Sequence, residues 1–316
     1  MDASVFEGCT ELQSVNIQSH VVSNRAFYGC TNLETVTFGD GLNSIGDEAF
    51  SGCSKLKGIE IPSHVTSIGS SAFYDCSGMT SVTIPSSVTS LGHSAFGGNC
   101  TGKININCSV PDDTEAFRGK FSEIVVGKDV THIGNGAFKG MTSLSTLTLS
   151  EGLTSIGENS FSGCTELTSV SMPSTVTAIG NSAFQGCRKL NLTSNSVLSC
   201  EVGKYAFSGC ENLTAITFGT NVGDIGEEAF RSCSALTSVT VPEGVTKMTS
   251  IGKYAFSECS MLATFDFPSS VDSIAYAAFE GCSSLTTIHL PEYLCFIFRY
   301  LEVRSCRDSR RGDKVG

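Results

Sequence analysis

The chain has 316 residues, with 31 Asp and Glu against 20 Lys and Arg and a net charge of -11. Such a field repels a phosphate backbone and argues against nucleic acid as a partner. Hydrophobic residues make up 40%, enough for a sizeable core, yet the longest strongly apolar run, Cys295-Phe296-Ile297-Phe298, is far below the roughly 20 residues of a bilayer-spanning helix, so membrane insertion is not expected.

The N-terminus, Met-Asp-Ala-Ser-Val-Phe6, has neither a basic start nor an apolar stretch and does not read as a signal peptide. It opens inside a repeat unit, which points to a fragment of a longer protein or to a true start that lies further upstream. Aligned on phenylalanine, the chain shows thirteen equivalent positions: Phe6, Phe27, Phe50, Phe73, Phe96, Phe117, Phe138, Phe161, Phe184, Phe207, Phe230, Phe256 and Phe279. Eight of the twelve spacings are 23 residues, three are 21 and one is 26, and eleven of the thirteen Phe follow Ala. A fixed period of this length is the mark of a solenoid.

Within a unit the elements come in a fixed order. Leu-x-x-Val-x-Ile, as in Leu56-Lys-Gly-Ile59-Glu-Ile61, alternates its last two apolar residues and predicts a short strand with both on one side. A Pro-Ser turn follows, then Val-Thr-Ser-Ile-Gly, which spaces two apolar residues around a bend and ends on a glycine suited to positive φ. Small polar residues such as Asp47 and Ser70 then read as caps for a single helical turn, on which Phe and Cys at i and i+3 face inward. One unit buries too little apolar surface to offset the entropy of ordering it, so the units must stack. Residues 1–297 are thus expected to form an α/β repeat solenoid, a right-handed superhelix of about thirteen turns with a parallel strand from most repeats.

The template breaks in three places. Over 97–137 two short repeats occur, the Cys position moves to Cys100 and is then lost to Lys120 and Met141, and the Val-Thr-Ser-Ile-Gly segment is missing near Ser109 to Glu115. Over 188–203 the strand pattern weakens, and three residues are inserted at Thr246 to Thr249. Bends and loops are the plain reading of all three, a functional loop the sharper one. Residues 298–316 lack the repeat and hold most of the arginines as a basic tail or degenerate cap.

The unit Ala-Phe-x-x-Cys-x-x-Leu-x-x-Val-x-Ile-Pro-x-x-Val-x-x-Ile-Gly resembles the BspA-like, Treponema-type leucine-rich repeat. That resemblance implies a leucine-rich-repeat fold and a surface-exposed or secreted protein of bacteria or protists. It also implies adhesion, through binding to extracellular-matrix or other host proteins or contact between cells. The family has no catalytic motif to carry over.

The residues themselves offer no enzyme either. Ten of fifteen Cys occupy one slot and should stack as buried, reduced thiols; only the irregular Cys100, Cys108, Cys200, Cys295 and Cys306 are candidates for disulfides. No Cys/His cluster has zinc spacing, so neither metal nor cofactor is expected. Gly97 to Ile104 nearly matches a phosphate loop but has Ile104 where Ser or Thr would hold the metal. The five His fall in separate repeats, and the carboxylates sit on turns. Arg311-Gly-Asp313 fits integrin recognition but lies in the tail; Asn99, Asn107, Asn191 and Asn212 head glycosylation sequons.

The surface expected to bind is the outward face of the strands: Thr35, Thr37, Ser81, Thr83, Thr146, Thr148, Ser169, Ser171, Ser238, Thr240, Thr264 and Asp266. It carries almost no aromatic residue, so weak multivalent protein contact fits it better than a single anchor. The rival expectation is a structural spacer that holds out an active domain elsewhere in a larger protein.

Overall fold

The computed structural model describes residues 3–112, 115–291 and 294–296. It is a solenoid, as the periodicity requires, and no described residue is helical. Three ladders run from turn to turn along it.

The first ladder is the predicted one. Its strands include Ser14–Ile17, Thr35–Phe38, Ser81–Ile84, Lys103–Ile106, Glu123–Val126 and Thr146–Leu149, all paired in parallel. Register follows the template, with Ile104 beside Val82 on one side and Ile124 on the other. These inward residues are fully buried while their neighbours face solvent, the alternation that fixes a strand's two sides.

The second ladder comes from Val-Thr-Ser-Ile-Gly, which holds a short strand as well as a bend. Ser44–Ile45, Ser67–Ile68 and Ser90–Leu91 pair in parallel, as do His132–Ile133, Ser155–Ile156 and Ala178–Ile179. Val65 and Ile68 are both buried although three residues apart, because the chain bends between them and only two residues are extended.

The third ladder replaces the expected helical turn. Ala26, Tyr28 and Cys30 each donate to the carbonyl three residues back, but Arg25 at φ 56 and Gly29 at φ 69 are left-handed, so the turns cannot propagate as a helix. Alternate amides instead reach forward: Arg25 N to Asp47 O, Phe27 N to Ala49 O and Gly29 N to Ser51 O, each at 2.8 Å. Asp47 caps the next turn rather than its own, its Oδ1 accepting from Ser70 N at 2.7 Å. Asn24 does the same for Asp47, and Asn135 for Glu158.

The glycine after Ile is needed for close approach and not for positive φ. A Cβ on Gly92 would lie 2.2 Å from Ser70 N, and one on Gly180 would lie 2.6 Å from Glu158 N. Left-handed backbone falls two residues later instead, at Ser94 (φ 52) and Ser182 (φ 54).

Inside, the thirteen Phe form one column. Successive rings lie 5.2 to 5.4 Å apart over most of it, from Phe6–Phe27 at 5.3 Å through Phe184–Phe207 at 5.3 Å to Phe256–Phe279 at 5.3 Å. Phe50, Phe73, Phe184 and Phe230 have no exposed surface.

The breaks are absorbed within the ladders. Val110 fills the slot of the missing segment and bridges Ile133. Ile225 bridges both Val202 and Ile251, so the insertion near Thr246 is a loop that leaves the ladder intact. In the weak repeat, Asn191–Leu192 still pairs with Ser169 and Val170, and buried Ser196 donates to Val170 O. The tail after residue 297, with Arg311-Gly-Asp313, lies outside the described residues.

Candidate functional site

All twelve residues expected to bind are exposed on the outer side of the first ladder. Register places Thr35 beside Ser14, Ser81 between Gly58 and Lys103, and Thr146 between Glu123 and Ser169; it also sets Thr37 beside Asn16, Ser238 beside Ala215 and Thr264 beside Thr287. The structure thus brings them into two columns running along the solenoid, about 4.8 Å per rung. Thr148, Ser171 and Thr240 continue the second of these columns.

The columns are not uniform. Between Thr83 and Thr148 they carry Asn105 and Val125, and between Ser81 and Thr146 they carry Lys103 and Glu123, ion-paired at 2.8 Å. Asn105 Nδ2 donates to Thr83 Oγ1 at 3.1 Å, and His289 Nδ1 meets Asp266 Oδ1 at 2.7 Å. The face is therefore polar and partly self-bonded, with charge at Glu60, at the Lys103–Glu123 pair and at the Asp266–His289 pair.

Other hydroxyls of the repeats serve the backbone, which their repetition alone did not reveal. Thr80 Oγ1 donates to Lys57 O at 2.7 Å, and Thr168 Oγ1 donates to Ser145 O at 3.0 Å, each to the turn before. Along the second ladder Thr154 Oγ1 donates to Thr131 O at 2.8 Å. These bonds tie turn to turn and present no free donor.

Two grooves that sequence reasoning missed run along the second ladder. One, about 680 Å³, crosses Val21, Ser44, Ser67 and Ser90; the other, about 980 Å³, crosses five turns between Asn135 and Lys247. Close-approach glycines recur along both grooves, and the outward Ser44, Ser67 and Ser90 leave little bulk in the first, where the second has Ala178 and Glu201. The larger groove carries Glu158, Glu201 and Asp224 with Lys204 and Lys247. Asp224 is committed to structure, its Oδ1 accepting from the amides of Thr249 and Ser250.

Apart from Cys9, which is exposed at the first turn, the cysteine column is buried, and it is free of disulfides among the described residues, including the irregular Cys100, Cys108 and Cys200. Ten thiols of the column, Cys30 through Cys282, donate to the phenylalanine carbonyl of the turn before, as Cys53 does to Phe27 O at 3.3 Å and Cys210 to Phe184 O at 3.3 Å. Burial pushes the Cys53 and Cys233 thiols up to about 12 and that of Cys282 up to about 11. A thiol that stays protonated is a poor nucleophile and a poor metal ligand. No group of three or more His, Cys, Asp or Glu among the described residues is placed to hold a metal ion.

No described helix is long and apolar enough to cross a membrane. The model of the BspA type leucine rich repeat region matches residues 1–120, 113–199 and 200–301. No curated protein matches the chain. A leucine-rich repeat protein from Bacteroides ovatus is similar at 25% identity and a TM-score of 0.58, over 94% of this chain and 77% of that one. A leucine rich cell surface protein from Faecalibacterium prausnitzii is 27% identical over 94% of this chain and 81% of its own, with a TM-score of 0.40. The chain belongs to the BspA-type leucine-rich repeat family.

Proposed function

We propose that this chain is a surface-exposed or secreted adhesion module that holds a protein partner across many repeats. A repeat solenoid of this family is a protein-interaction scaffold. The observation that carries the finer reading is the pair of exposed polar columns, in which Thr35, Ser81, Thr146, Ser169 and Ser238 recur at one rung position. Repeated small hydroxyls offer many similar weak contacts, and these add by avidity rather than through one anchor. The partner class is a host extracellular-matrix or cell-surface protein, which the family likeness favours.

The test is a truncation series against immobilised matrix proteins and against cells. Removing two or three repeats lowers affinity in steps, while Thr83→Ala or Thr148→Ala alone changes it by less than about twofold. Loss of all binding from one such substitution overturns the distributed reading.

A spacer role has one observation in its favour: the hydroxyls of Thr80, Thr154 and Thr168 are spent on the solenoid's own backbone. If no matrix protein or cell binds and the gene encodes an attached active domain, the spacer reading holds.

A further inference from the structure

The third ladder is interrupted once. Phe96 N donates to Ala116 O at 2.8 Å, and Phe138 N donates to Ser160 O at 2.8 Å, but among the described residues no backbone bond joins the Phe117 turn to the Phe138 turn. The thiol bond is missing there as well, since Met141 stands in the cysteine slot and has no hydrogen to give to Phe117 O. Both strand ladders continue across the same step, with Glu123 beside Thr146 and Val110 beside Ile133. The turns therefore splay on one side only. Phe117 and Phe138 remain 5.3 Å apart at their ring centres but are inclined by 34°, against 4° for Phe27 and Phe50 and 7° for Phe161 and Phe184.

The splay opens a wedge of about 250 Å³. Its walls differ in chemistry. The Phe117 amide, which would have donated across the step, has no partner among the described residues. Ala137 and Lys139, whose counterparts Ala49 and Ser51 accept in the regular ladder, present carbonyls with no donor among the described residues. Glu115 and Arg118 also line the wedge and are paired, with His93 holding Glu115 from the turn before. The Lys139 ammonium has no ion-pair partner among the described residues. Among the described residues, one wedge thus holds an unpaired amide with an unpaired cation, and unpaired carbonyls with a carboxylate.

Unpaired backbone groups out of full contact with water are costly, and an occupant that supplies both an acceptor and a donor relieves them. Charges of both signs on the walls favour a ligand with charges of both signs. A doubly negative phosphate is disfavoured by Glu115 and by the two carbonyls, and a plain cation by Lys139. The volume suits a small molecule and excludes a chain. We propose that the wedge between the Phe117 and Phe138 turns binds a free, small α-amino acid. Its carboxylate accepts from the Phe117 amide and Lys139, and its ammonium group donates to the carbonyls of Ala137 and Lys139, beside Glu115. This site stands whether the solenoid is an adhesion module or a spacer.

Titrating the full chain with glycine and with alanine, while following backbone amide resonances, tests it. The Phe117 and Lys139 amides shift saturably, and N-acetylglycine and glycinamide, which each lack one charge, bind at least about tenfold more weakly. Lys139→Gln, at an exposed position, weakens glycine about tenfold. Arg231→Gln, in the corresponding slot of an unbroken step, leaves it unchanged. The proposal is overturned by the absence of a saturable shift, by N-acetylglycine or glycinamide binding as well as glycine, or by unchanged affinity in Lys139→Gln.

Discussion

The thiol of Cys100 donates to the carbonyl of Phe73 at 2.9 Å, although Cys100 stands four residues after its phenylalanine and the other cysteines of the column stand three after theirs. The extra residue is taken up beside Gly98, which is left-handed at φ 68, and the sulfur returns to its place in the column. The inter-turn bond, and not the spacing, is what the fold keeps.

Thiol burial gives the protein an alkaline limit. The Cys53 and Cys233 thiols are raised to about 12 from an ordinary 9.0, so between those values the folded chain retains protons that the unfolded chain has lost. Stability is therefore fully present below about pH 9 and falls as pH rises toward 12. Denaturant titrations from pH 7 to 11 should show a plateau and then a decline, shallower in Cys233→Ala. In the native state, Cys9, which is exposed, labels before any buried thiol; rapid labelling of the whole set at pH 8 contradicts the column.

Ser160 occupies the alanine slot before Phe161, is fully buried, and its hydroxyl has no hydrogen-bond partner. Ser160→Ala removes that unsatisfied group without altering volume much, and should stabilise the chain by about 1 kcal/mol. A lower thermal midpoint for the variant would count against the burial seen here.

Gly180→Ala should destabilise by more than about 2 kcal/mol, since its Cβ would meet the Glu158 backbone at 2.6 Å. Gly223→Ala is the matched control. There the nearest atom is the flexible Glu201 Cγ at 3.3 Å, and the change should be within about 1 kcal/mol. Equal effects at the two positions would remove the close-approach argument.

Ser232 and Glu258 are left-handed at φ 57 and 61 where Gly52, Gly163 and Gly209 stand in other turns. Ser232→Gly relieves that conformation and should stabilise by roughly 0.5–1 kcal/mol, less what is lost with the bond from Ser232 Oγ to Glu258. Urea unfolding of the two chains measures the change, and a less stable Ser232→Gly would count against relief of the left-handed backbone.

The column positions were legible in the sequence because repetition exposes any slot that must be small, apolar or thiol-bearing. Phe27, Cys30 and Leu33 are all fully buried for that reason. The second ladder was not legible: its strands are two residues long, too short to show an alternation, and Val65 and Ile68 are spaced as a bend would space them. Phe and Cys at i and i+3 fit a helical turn and a tight turn equally, and only the backbone at Arg25 and Gly29 separates the two. At the candidate face, alternation correctly placed Thr83 and Thr148 outward, but the grooves depend on which turn faces which, and no single unit encodes that. The wedge was visible only as a fault in the template, at Lys120 and Met141, with no hint of its chemistry.

The third ladder has one further property. In its turns the linking amides, such as those of Phe27, Phe50 and Phe161, all point toward the C-terminal end, and their carbonyl partners all point back. Strands contribute little net dipole because successive peptides alternate, whereas the linking peptides of this edge add up along the axis. Its polarity runs opposite to that of an α-helix, with partial positive charge at the C-terminal end of the stack. The interruption at Phe117 divides the edge into two collinear magnets, as it were, the positive pole of the first facing the negative pole of the second. The step between Phe117 and Phe138 therefore sets a partly positive wall against a partly negative one, whatever side chains line it.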